Sequence, residues 1–114
     1  FTLLEEKLDS TLSPQLKSEL LTVHAEGYKN LILDMESVKY ADSSGLSALL
    51  VGNRAFNEVG GIFVLSSLQE HVIKLLKISM LDKVFKVVDD NEAAAEAIFI
   101  HEIESGSEKD EEEE

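Results

Sequence analysis

Apolar positions along the chain alternate between short runs and helical stripes. The opening FTLLEEKL reads as the start of a strand that runs into a polar loop. Ser13 before Pro14 is the N-cap and first-turn pairing that starts a helix. Leu16, Leu20 and Val23 follow at helical spacing until Gly27 stops it. LILDM, residues 31–35, is a short apolar run of the kind that makes a buried strand. Leu46, Leu49, Leu50 and Phe56 then mark one face of a second helix, ended by Gly60 and Gly61. IFVLS, residues 62–66, is another buried strand. Ser67 with Glu70 predicts a capping box ahead of the stripe Val72, Leu75, Leu76 and Ile78. KVFKVV, residues 83–88, alternates as a strand with one wetter face. Asp90 or Asn91 caps a last helix, EAAAEAIFI, whose alanines favour helix and close packing.

Helices between successive strands require crossovers, and hence a mainly parallel or mixed sheet in an α/β layer fold. The expectation is four strands packed with about four helices. No repeat or interior linker divides the chain, and 114 residues bury one core but not two. Residues 1–103 are therefore expected to form one domain. Leu46, Leu49, Leu50, Leu75, Leu76, Phe63 and Phe85 are its expected core.

Charge changes the picture at the C-terminus. Residues 104–114 hold seven acids against Lys109, a net of −6, which leaves −7 of the total −13 on residues 1–103. ESGSEKDEEEE has nothing apolar to bury, so 104–114 is expected to be an acidic disordered tail. An acidic surface repels nucleic acid and anionic membranes and favours partners with a basic face. Cysteine is absent, which excludes disulfides, thiolate metal sites and cysteine nucleophiles. No apolar run approaches the length of a membrane span, and no signal-type start is present. The expected location is the cytoplasm. The chain opens on Phe1 rather than methionine, so an upstream segment is also an expectation.

Candidate catalytic chemistry is sparse. His24, His71 and His101 lie on three different expected helices without metal-ligand spacing. The glycines match neither GxxxxGK[ST] nor GxGxxG. A serine does sit at a strand-to-helix turn in KYADSSGLSALL, residues 39–50, but the windows ADSSG and DSSGL lack the first glycine of a GxSxG nucleophile elbow. No enzymatic activity of its own is expected, and no metal.

Two readings of that turn stand. In the first, a serine hydroxyl caps the helix by satisfying one of its free amides. In the second, the serine is a switch. A phosphate there adds nearly two negative charges and meets amides carrying partial positive charge, so the fold keeps its shape while its surface changes. Asp42 repels such a phosphate and makes the modified surface strongly anionic. Gly45 is expected to keep the approach open for an incoming active site.

The run NLILDMESVKYADSSGLSALLVGNRAFNEVGGIFVLSSLQEHVIKLLKISMLDKVFKVVDDNEAAAEA, residues 30–97, resembles the STAS domain, the fold of bacterial anti-sigma factor antagonists. It contains the D-S-S-G-L turn and the VGG helix end. SMLDKVF is a close variant of the family's SGLxxxF, with Met80 in place of glycine. Upstream, KLDSTLSPQLKSEL resembles the family's acidic loop and first helix, which places Asp9 at the acidic position of that loop. Family members usually begin with a further strand, so a fifth strand is expected if an upstream segment supplies it.

The resemblance implies a partner-switching mechanism. The unphosphorylated antagonist binds a serine-kinase anti-sigma factor and frees the sigma factor. The kinase then phosphorylates the first serine of the turn, corresponding to Ser43, and a PP2C-type phosphatase reverses this. Ser44 matches the second serine and Asp42 the preceding acid. Asp9, Asp42, Ser43, Ser44 and Gly45 are thus the implied partner-binding residues, with Asn53 and Arg54 as further docking candidates. ATP belongs to the kinase, so no cofactor is implied. The alternative is a constitutive STAS subunit of a signalling scaffold or transport complex.

Overall fold

The computed structural model describes residues 1–113, with side chains described through residue 104. Its elements are β1 (Lys7–Leu8), α1 (Ser13–Ala25), β2 (Leu31–Asp34), β3 (Tyr40–Ala41), α2 (Ser43–Glu58), β4 (Phe63–Ser66), α3 (Glu70–Ile78), β5 (Lys86–Val88) and α4 (Asn91–Glu113). Every strand pairing is parallel: β2, β4 and β5 form one sheet in that order, and β1 pairs with β3. The first residues join the two, since Thr2 bridges Asp34 and Asp34 N–H donates to the Phe1 carbonyl at 2.8 Å. The α/β fold with a parallel sheet and four helices is the expected one. The tail at 104–114 lies, past its first residue, outside the described side chains.

Three local expectations are corrected. Regular strand pairing near the N-terminus falls on Lys7–Leu8, and its partner Tyr40–Ala41 is a strand the apolar pattern did not mark. Ser13 is not the N-cap: it is the first residue of α1, and its hydroxyl donates to the Asp9 carbonyl at 2.6 Å. The capping box at Ser67 does not form. Ser67 turns the chain out of β4 with φ +57°, Gln69 becomes the N-cap residue of α3, and its side-chain amide instead donates to the Glu36 carbonyl at 2.5 Å.

Register explains how the layers are filled. All four residues of β4 are buried, so both faces of this central strand are covered. Phe63 stacks on Phe56 of α2 at 6.0 Å between ring centroids. Alternation sends Leu65 to the same side, with Leu31 and Leu33 as their cross-strand neighbours. That side holds the main core, with Leu8, Leu16, Leu20, Leu46, Leu49, Val72, Leu76 and Phe85 buried and Leu50 and Leu75 packed against it. The other side belongs to α4, which packs on β2, β4 and β5. Here Asn91 donates to Asp34 Oδ2 at 2.9 Å and accepts from the Ser66 hydroxyl at 2.5 Å. Both of these buried polar groups are thereby satisfied, and α4 is pinned to the strand ends. Asp90 is its cap, accepting from Ala93 N–H at 2.8 Å.

Met80 occupies the left-handed region with φ +60° and is 81% exposed. Its side chain therefore gains little packing to offset backbone strain of about 1 kcal/mol. Met80→Gly is expected to raise stability by about that amount, read as a higher urea midpoint at unchanged m-value.

Candidate functional site

The site is assembled by the β1–β3 pair. Its register sets Leu8 beside Ala41, and Asp42 N–H donates to the Leu8 carbonyl at 3.2 Å. The residues that follow each strand, Asp9 and Asp42, therefore leave the sheet side by side. Each then opens a helix. The Asp9 carboxylate accepts from Thr11 N–H at 3.0 Å and its carbonyl accepts from Ser13 N–H at 2.9 Å, which shapes the entry to α1. Asp42 is extended, with φ −118° and ψ −173°, and its Oδ1 accepts from Gly45 N–H at 3.0 Å. This is an aspartate N-cap.

That geometry decides one of the two readings of the turn. The helix is capped by Asp42, so no serine is needed for the task. Ser43 is the first helical residue and is exposed, while Ser44 is half-buried. The Ser43 and Ser44 amides belong to the first turn, which has no carbonyls of its own helix to bond. Asp42→Ala is expected to cost about 1 kcal/mol of stability through loss of the cap, measured as a lower urea midpoint.

Gly45 has a different reason from the one expected. It is buried and faces inward, and a Cβ there would stand 2.3 Å from the Leu8 carbonyl oxygen and 2.7 Å from Leu8 Cγ. Glycine lets α2 start directly against β1; it does not hold open an approach from solvent.

Around the exposed serine, Ser10, Ser13, Pro14, Lys17, Ser43, Ser44 and Ser47 line a shallow depression of about 310 Å³ between the starts of α1 and α2. Lys17 is the only charged side chain among them. The histidines lie elsewhere: His24 edge-on to Phe56, His71 stacked on Tyr40, and His101 against the Gly60 carbonyl at 2.8 Å. Among the described residues, no three His, Cys, Asp or Glu side chains gather as a metal site would require. No helix among them is long and apolar enough to cross a membrane.

A family model described as the STAS domain matches residues 3–95, which include the whole of this arrangement. The chain belongs to the STAS domain family. Its sequence is 32% identical over 94 residues to a Bordetella bronchiseptica protein named as the anti-sigma factor antagonist BtrV, covering 82% of this chain and 81% of that one. The crystal structure of TM1081 from Thermotoga maritima, named in the same way, matches with a TM-score of 0.78 at 25% identity over 85% of each chain. The Bacillus cell fate determinant SpoIIAA in its phosphorylated form shares the fold, with a TM-score of 0.64 at 23% identity over 84% of this chain and 86% of that one.

In this STAS domain the structure brings Asp9, Asp42, Ser43 and Ser44 to one edge. Asn53 and Arg54 lie about ten residues further along α2, roughly 15 Å away along its axis. They line a separate hollow with Leu50, Asn57, Glu58 and Val84. Lys17 was not marked by the sequence reading. Its helical spacing from Ser13 and Pro14 put it on their face, but the approach of that face to Ser43 depends on the packing of α1 against α2.

Proposed function

We propose that this STAS domain is an anti-sigma factor antagonist that binds a serine-kinase anti-sigma factor and is switched off by phosphorylation at Ser43. The observation that carries the reading is the exposed Ser43 hydroxyl at the start of a helix already capped by Asp42. The serine is spare for modification, and the relative named as an anti-sigma factor antagonist supports the kind of partner. Ser44 shares the depression with Ser43, Asp9 and Asp42 leave the adjacent strand ends on the same edge, and Gly45 lets α2 start directly against β1.

A phosphate at Ser43 gains from the free first-turn amides and from Lys17 in the same depression. The modified domain therefore stays folded. Its docking edge, however, carries a new dianion beside Asp42 and Asp9, and a partner seated there must desolvate and face it. A PP2C-type phosphatase restores the binding form. The chain itself performs no catalysis in this cycle; ATP is bound by the kinase.

The test is incubation of the full chain with ATP and the serine-kinase anti-sigma factors of its organism, followed by intact-mass and fragment-mass analysis. One phosphate per chain on Ser43, absent from Ser43→Ala, is the expected result. Phosphate on another residue, or none with a kinase shown to be active, overturns the reading.

A further inference from the structure

Charge is unevenly placed along this chain. Residues 89–114 hold twelve acids and one base, a net of −11, which leaves only −2 of the total −13 on residues 1–88. From Asp89 to Glu104 there is no Lys or Arg at all. This acidic segment includes α4, whose inner face is spent on the sheet: Ala94 is buried and Ala97, Ile98 and His101 are half-buried.

The outer face is not the polar surface such a composition leads one to expect. Phe99, Ile100 and Ile103 are 64%, 54% and 50% exposed. Their spacing of i, i+1 and i+4 groups them on one side of the helix, with the small Ala95 one turn before Phe99. Exposed Glu92, Glu96, Glu102 and Glu104 flank them. Three large apolar side chains held together in water on a packed helix do not serve the domain's own core, and such patches mark contact surfaces.

The charge selects the occupant. A second copy would bring two segments of −11 together, and an anionic membrane or a nucleic acid is repelled in the same way. A helix with an apolar stripe and Lys or Arg along its flanks satisfies both features at once. We propose that the outward face of α4 is a docking surface for a basic amphipathic helix of another protein, anchored on Phe99, Ile100 and Ile103 and steered by the surrounding glutamates. It lies on the side of the sheet opposite α2, so it is a surface separate from the Ser43 edge and goes beyond the switch proposed above.

The experiment titrates the full chain into a fluorescent synthetic amphipathic Leu/Lys helix at physiological salt and follows anisotropy. A Leu/Glu peptide of the same pattern serves as the control. The Leu/Lys peptide is expected to bind and the Leu/Glu peptide not. Phe99→Ser combined with Ile103→Ser is expected to weaken binding about tenfold or more while the urea midpoint stays where it was, since both side chains are exposed. Glu92→Gln combined with Glu96→Gln is expected to weaken it by a smaller factor that vanishes at high salt. Unchanged affinity of the serine variant overturns the proposal, because the attraction is then to bulk charge alone. It is equally overturned if the unmodified chain is a dimer that the serine variant dissociates, since the occupant is then a second copy.

Discussion

Gly45→Ala is expected to destabilise the domain by about 3 kcal/mol, the upper range for forcing extra atoms into a packed site. The added methyl would lie 2.3 Å from the Leu8 carbonyl oxygen, and a backbone atom cannot swing aside as the end of a side chain does. The same carbonyl accepts the Asp42 amide, so any retreat of β1 also loosens the residue that caps α2. Urea unfolding of the variant should show a lower midpoint with an unchanged m-value. Partner binding at the proposed edge, built on that contact, should weaken along with it. A variant as stable as the parent but defective in partner binding would reverse the assignment and make Gly45 a gap for the partner.

Ser43→Asp is expected to reduce affinity for the serine-kinase anti-sigma factor by about 100-fold or more. Converting a partner from mostly bound to mostly free takes on the order of 3 to 5.5 kcal/mol of differential binding. Loss of one hydroxyl hydrogen bond supplies about 1 kcal/mol, which is too little. A buried negative charge at the proposed interface, which would already contain Asp42 and Asp9, supplies the rest. Ser43→Ala, which removes the hydroxyl without adding charge, should therefore bind within about tenfold of the parent. Calorimetric titration of the three proteins distinguishes the cases. Equal affinity of all three would instead favour a constitutive STAS subunit of a larger assembly.

What the sequence revealed follows from how burial is distributed. β2 and β4 were legible because strands covered on both faces read as unbroken apolar runs, LIL and FVL. α1, α2 and α3 showed through their apolar stripes, the first two also through their stops at Gly27 and Gly60, and α4 through its cap and its alanines. β1 and β3 did not show: they are two residues each, with Lys7 and Tyr40 exposed, too short for any period to register. Their pairing was nonetheless what places Asp9 beside Asp42. The caps were half legible. Asp90 works as expected, but Ser13 sits inside the helix and bonds back to the Asp9 carbonyl, and Ser67 makes a left-handed turn, choices made by how the chain leaves each strand. At the site itself, the Asp-Ser-Ser-Gly turn was visible, while the direction in which Gly45 faces and the nearness of Lys17 arise only from tertiary packing.

Ejection of the partner by phosphate on Ser43, with the domain still folded, is best measured on the phosphoprotein itself. The chain phosphorylated to one phosphate at Ser43 and its unmodified form would be titrated in parallel into the serine-kinase anti-sigma factor, with the urea midpoint of each recorded. The expected result is a Kd at least about 100-fold weaker for the phosphoprotein, with midpoints that agree to within about 0.5 kcal/mol in stability. Equal Kd values, or a loss of binding accompanied by unfolding, would overturn the switch.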